Sequence, residues 1–358
     1  MARSAPLKRA AAPVPQSYED GAHYLNLSGY ELQQVQMEVQ AGVKTMDMQG
    51  TQIIWQKPYN PVGVLFLAHG CSHKATDFWP KSTDCPDCLG LPEEVRITQA
   101  SLASGLLVMA ISSWGKCWDT NLKSGARDSR PYVNNDLENV VGAIQMVQKL
   151  ESAETLPIFA LGASSGGAFV SILPHRVKLQ ALCVMISGLE PDTLETAVEG
   201  GYPQTLFVHM QRDEHTMRAV ARSIVELKKL QVRTADIVVL PQNVESFFFY
   251  LRIESITQDL SARMVSALTY AGLTGPTGIL YKDPRGTMWR EAIKQHAFRG
   301  KEMNLPLEND RSAISEEMNV AYARHEITAD FMDLVIPWMF GNRSLSCTKR
   351  NCGKLVIS

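Results

Sequence analysis

Several features that would settle a function class are missing from this chain of 358 residues. No apolar run approaches the roughly 20 residues needed to cross a bilayer, so no membrane span is expected. No polybasic run is present and the net charge is only −2, which leaves nucleic acid and anionic membrane surfaces without an electrostatic basis for binding. No repeat of roughly 20–50 residues recurs, which excludes a solenoid or propeller. The first 18 residues hold three basic and no acidic side chains and lack the apolar centre of a secretory signal. Residues 1–30 therefore read as a disordered leader. The seven cysteines are an odd number in a long chain, which favours a reduced, cytoplasmic setting without excluding an organelle or secretion.

What is present is a globular composition, with 45% hydrophobic and 20% charged residues. Short apolar runs alternate with amphipathic segments, the pattern of a mostly parallel sheet flanked by helices. Strands are predicted at 35–40, 48–57, 62–70, 105–113, 155–163, 179–187, 204–210 and 234–240. From 62 onward they are almost purely apolar, as strands covered on both faces must be. Helices are predicted at 92–104, 135–151, 165–173, 215–230 and 327–340. Two segments break the rhythm: a long loop at 71–91, and residues 241–320, which carry helical patterns at 254–272 and 286–298.

The run Phe159 to Phe169, "FALGASSGGAF", contains G-x-S-x-G between a strand pattern and a helix pattern. A serine displayed on so tight a turn needs small neighbours. Gly162 and Gly166 remove β-carbons that would collide, while Gly167 and Ala168 let the helix start close to the sheet. The helix N-terminus directs partial positive charge at the same spot. Ser164 is the expected nucleophile.

With "HG" after the third strand, "GASSGG" after the fifth, "MQRDEHT" after the seventh and "YARHEIT" before the last helix, the chain resembles the α/β-hydrolase superfamily. The resemblance implies an α/β-hydrolase core over 31–240, a helical lid insertion at 241–320, a returning core segment at 321–345 with the catalytic histidine, and a tail at 346–358. It places the acid at Asp213 and the base at His325, in the order Ser, acid, His. Asp213 also fits a helix N-cap, and Glu214 is the fallback. The 112 residues from Asp213 to His325 exceed a simple connection, so His296 and His215 stand as rivals. The resemblance puts the oxyanion donors at the N–H groups of Cys71 and Ser165, with Gly70 allowing close backbone approach. It makes His69 a brace for the loop, and Ser72 an additional side-chain donor.

His69, Cys71 and His73 beside Cys85 and Cys88 invite a zinc reading, since thiolate and imidazole suit that ion. The second C-x-x-C or H-x-x-x-H of a full signature is absent, so no metal is expected. Reduced cysteines in a packed loop are favoured over a bracing disulfide among Cys71, Cys85, Cys88 and Cys117, which requires an oxidising compartment. Cys347 and Cys352 could pair under the same condition. Phe78, Trp79 and Trp114 are the aromatics expected against a substrate, whereas "FFFYL" (247–251) is expected to pack the lid. The expected activity is cleavage of a small-molecule carboxylic ester, its hydrophobic group against those aromatics, through an acyl-enzyme on Ser164 and without a cofactor. The same triad serves peptidases and thioesterases, and the same fold serves non-catalytic ligand receptors.

Overall fold

The computed structural model describes residues 42–48, 50–122, 136–195, 198–309, 311–342 and 355–356. The strand expected at 35–40, the leader and Cys347 and Cys352 lie outside them. Among the described residues nine strands form one sheet in the order β1-β2-β4-β3-β5-β6-β7-β8-β9. They are β1 (Lys44–Met48), β2 (Thr51–Gln56), β3 (Gly63–Ala68), β4 (Leu106–Ile111), β5 (Ile158–Ala163), β6 (Ala181–Met185), β7 (Gln204–Met210), β8 (Thr234–Val239) and β9 (Leu355–Val356). Strands β3 to β8 run parallel, and β1, β2 and β9 pair antiparallel. The single strand expected over 48–57 is instead the end of one strand and the whole of another. Gly50 takes φ 81° and donates its N–H to Asp47, which reverses the chain between β1 and β2.

Period-2 alternation divides the side chains of β3 between two cores. Leu65 and Leu67 enter one cluster with Ile97 of helix α1 (Pro92–Ala103) and Val335 and Trp338 of the last helix. Val64 and Phe66 enter the other, with Val140 and Ile144 of α2 (Asp136–Leu150), Phe169 of α3 (Ser165–Ile172) and Val220 of α4 (Glu214–Lys229). Burying a side chain such as Phe66 completely is worth about 1.5–3 kcal/mol, so both layers contribute to holding the sheet. Order reverses beside β3, whose neighbours are β4 and β5. A crevice opens at the carboxyl ends of strands at such a switch point.

Residues 241–320 gather a third apolar cluster of their own, around Phe249, Met264, Trp289 and Met318. Its helices are α5 (Phe248–Arg252), α6 (Gln258–Tyr270), α7 (Trp289–His296) and α8 (Ala313–Tyr322). Phe248 and Phe249 are buried in that cluster. The last helix, α9 (Met332–Met339), starts later than expected, because residues 327–331 are held as a loop against α1. Among the described residues no helix is long and apolar enough to cross a membrane.

Candidate active site

At the end of β5 the chain turns on Ser164, which has φ 54° and ψ −118°, a backbone region that side-chain-bearing residues rarely adopt. Its N–H is tied to the Met185 carbonyl at 2.9 Å, and α3 begins at the next residue. The glycines around it are sterically required. A β-carbon on Gly162 would lie 2.2 Å from the Gly166 carbonyl oxygen, and one on Gly166 would lie 2.2 Å from the Ala68 oxygen.

The imidazole of His325 bridges the serine to an acid across 161 and 112 residues of sequence. Ser164 Oγ is 2.9 Å from His325 Nε2, and His325 Nδ1 is 2.7 Å from Asp213 Oδ2. Asp213 is the N-cap of α4 as well. It accepts from the Thr216 N–H at 3.1 Å and from the Thr216 hydroxyl at 2.7 Å. The two readings of Asp213, helix cap and histidine partner, are thus the same geometry. Burial would raise its pKa, but the bonds from Thr216 and His325 outweigh that and hold the carboxyl below its ordinary range. A carboxylate on Nδ1–H leaves Nε2 as the acceptor facing the hydroxyl, so the row can move a proton off Ser164. Glu214, the fallback, points to solvent, where its carboxylate approaches Arg218. His296 packs edge-on against Tyr270, 4.9 Å between centroids, and His215 is exposed on α4.

The loop after β3 faces the serine from the other side. His69 is buried, and burial pushes its pKa down to about 4, so the ring is neutral. Its Nε2 accepts from the Ser113 N–H at 3.0 Å, which leaves Nδ1–H to donate to the Gly70 carbonyl at 2.7 Å. Trp118 donates to the His69 carbonyl at 2.8 Å and stacks on Phe169. These contacts brace the loop. Ser72 has φ 69°, and its N–H is given to the Lys116 carbonyl. Among the described residues no acceptor lies on the N–H of Cys71 or of Ser165. Gly70 is close to the serine, but a β-carbon there would meet nothing nearer than 3.7 Å, so space does not demand glycine.

Two expectations are corrected here. Cys71 is joined to Cys117 and Cys85 to Cys88, so these four cysteines are paired, not reduced, and offer no thiolate to a metal. Phe78 and Trp79 do not line a substrate surface. Both are fully buried in the core under α1, with Trp79 Nε1 bonded to Gln56, because the loop at 71–91 folds its aromatics inward. Trp114 is half exposed, its ring over the Gly50 turn. Sequence did not single out Thr216, and it offered Cys117 only as one of four candidates for a bracing disulfide. A threonine three residues after a capping aspartate is the one signal that was available for the former.

No family model matches the chain, and no curated protein matches it. Among solved structures it is similar to a dienelactone hydrolase from Anabaena variabilis, at 16% identity and a TM-score of 0.40, covering 65% of this chain and 98% of that one. A predicted CIB-like hydrolase from Thermoplasma acidophilum is 16% identical, with a TM-score of 0.37 over 60% of this chain and 96% of that one. A Pyrobaculum calidifontis esterase is 12% identical, with a TM-score of 0.36 over 72% and 94%. The sheet order, the strand-to-helix turn at Ser164 and the succession Ser164, Asp213, His325 along the chain give this protein an α/β-hydrolase fold.

Proposed function

We propose that the protein is a serine hydrolase that cleaves a carboxylic ester of a small or medium organic molecule through an acyl-enzyme on Ser164. The observation that carries this reading is the unbroken row Ser164 Oγ, His325 Nε2, His325 Nδ1, Asp213 Oδ2, at 2.9 and 2.7 Å. A serine hydroxyl alone is a poor nucleophile and needs such a base and its orienting carboxylate.

In this reading His325 Nε2 takes the Ser164 proton while Oγ bonds to the ester carbonyl carbon. The N–H groups of Cys71 and Ser165 receive the oxyanion, and losing one donor of that kind costs about 10²–10³ in rate. The carbon–oxygen bond to the alcohol then breaks, and His325 hands its proton to the departing alkoxide. Water, deprotonated by the same ring, attacks the acyl carbon and frees the acid and Ser164. Asp213, kept ionised by Thr216 and His325, holds the ring in the useful tautomer and stabilises its cationic form. His69 is buried and spent on Gly70 and Ser113, which leaves it unsuited to act as the base. Trp114 stands beside the Ser113 anchor with half its surface free for a substrate group.

A fluorophosphonate probe is expected to label the wild-type protein at Ser164, and Ser164→Ala is expected to abolish both labelling and hydrolysis of p-nitrophenyl esters. Labelling that survives the substitution would remove the nucleophile. A labelled protein inert towards a chain-length series of esters but active on peptides or thioesters would move the activity to those substrates.

A further inference from the structure

The base of this site is held by a residue that does not belong to the row itself. His325 has φ 49° and Ala323 has φ 58°, both in the left-handed region that costs a non-glycine residue energy. Such a segment persists only when its surroundings over-determine it. The carbonyls of three successive residues are each engaged by a donor. The Ala323 oxygen accepts from the Arg212 N–H at 3.0 Å. The Arg324 and His325 oxygens each accept from one nitrogen of the Arg285 guanidinium, Nη1 and Nη2, both at 2.9 Å. The fork geometry of arginine suits this double contact, and a lysine ammonium does not reproduce it.

Arg285 comes from the segment 241–320, far from the sheet in sequence, and is itself fixed. Its N–H donates to Asp283 Oδ1 at 3.0 Å, and Asp283 Oδ2 accepts from the Arg324 guanidinium at 3.1 Å. Nη2 also approaches the Glu326 carboxylate at 3.3 Å. Asp283 and Arg285 on one side thus grip Arg324, His325 and Glu326 on the other. The His325 ring is about half exposed, so little packing holds it and its orientation rests on the bond to Asp213 and on the backbone that carries it.

We infer that Arg285 is a positioning residue that sets the backbone conformation of His325 and thereby aims Nε2 at Ser164, an inference that rests on His325 being the base. The segment 241–320 is then a structural part of the active site whether or not it also covers it. Misplacement of a reacting group by about 1 Å costs up to roughly 10²-fold in rate. Arg285→Ala is therefore expected to lower kcat on a p-nitrophenyl ester about 10–100-fold with KM little changed. Arg285→Lys, which keeps the charge but cannot span both carbonyls, is expected to recover only part of the loss.

A structural readout independent of turnover accompanies these rates. The low-field proton resonance of the His325 Nδ1–H bonded to Asp213 is expected to shift or broaden in Arg285→Ala and to return partly in Arg285→Lys. A folded Arg285→Ala with full kcat and an unmoved resonance would overturn the inference. If the alanine variant does not fold, Arg285→Lys and Asp283→Asn decide the matter by the same two readouts, and wild-type behaviour in both would overturn it. Absence of fluorophosphonate labelling in the wild type would defeat the hydrolase reading alone, because the resonance still reports whether Arg285 governs the His325–Asp213 pair.

Discussion

Ser164 holds a conformation that costs a side-chain-bearing residue about 1–3 kcal/mol, and its neighbours are chosen so that nothing further is added. The expected consequence is a sharp contrast between two glycines near it. A β-carbon at Gly166 would meet the Ala68 carbonyl at 2.2 Å, where only backbone can move, whereas at Gly70 the nearest atom is 3.7 Å away. Gly166→Ala is expected to lower stability by about 1–3 kcal/mol, and Gly70→Ala to leave it nearly unchanged. Urea titration of both variants checks this, and equal midpoints would contradict it. The turn at Ser164 was legible in sequence because its steric demand is local and writes itself into five adjacent residues. The helix cap at Asp213 was legible for a related reason, since a cap at the start of a helix and a strand end one turn before it are both short-range features. Gly70 shows the limit of that reading. Its closeness to Ser164 is real, yet the room around it depends on how two loops pass each other.

Among the elements, the loop after β3 is tied by a bond that sequence left open. Cys71, one of the two proposed oxyanion donors, is tethered by its disulfide to Cys117 on the loop after β4. A second tie, from the Ser72 N–H to the Lys116 carbonyl, runs beside it. Losing an oxyanion donor outright costs about 10²–10³ in rate, and a loosened one costs less. Reduction of the wild type, or Cys117→Ser, is expected to lower kcat measurably, with reoxidation restoring only the wild type. Rates indifferent to both treatments would show that the loop keeps its shape without the bond. The pairing was hidden because an odd cysteine count and an unknown compartment do not fix connectivity. Helix α8 was hidden differently. Its charged residues Glu316 and Glu317 suggest a solvated stretch, but both are buried, Glu316 accepting from the Glu93 N–H of α1 and Glu317 paired with Arg252 of α5. Composition reports the charge of a residue and not the partner that makes burial tolerable.

For the molecule as a whole, buried charge joins the sheet domain, the segment 241–320 and the loop that follows His325. Glu93 of α1 is paired with Arg96 and Arg252 and accepts from the Ala329 N–H at 2.7 Å, while Arg252 of α5 also grips Asp330 at 3.0 Å. Burial would raise the carboxyls of Glu93 and Asp330, but the two guanidiniums outweigh it and hold both below the ordinary range. Beside this network a second group holds protons. Burial pushes Glu94 up to about 7, next to the still more raised Glu316. His73 is raised to about 9: burial alone would lower it, but Asp77, Glu94 and Glu326 prevail. The folded state therefore binds more protons than the unfolded one, from about 4.5 to 7 through Glu94 and from about 6.5 to 9 through His73. Stability from these groups is fully present at low pH and is lost as pH rises through those windows. Glu94→Gln, with no proton to lose, is expected to flatten the fall in thermal stability between pH 4.5 and 7 relative to wild type. Identical slopes in melts at pH 5, 6 and 7 would contradict the assignment.

By itself the sequence determined strands β3 to β8 and the turn at Ser164, because apolar period and turn sterics act over a few residues. Tertiary structure alone decided which aromatics face inward, which cysteines meet, and how His325 is held. Each of those depends on contacts between segments tens to hundreds of residues apart, where burial and the partner at hand, not residue type, fix the free energy. Arg285 is the clearest case: nothing near it in sequence marks it, and its role exists only once the chain has folded its guanidinium onto two carbonyls of the histidine segment.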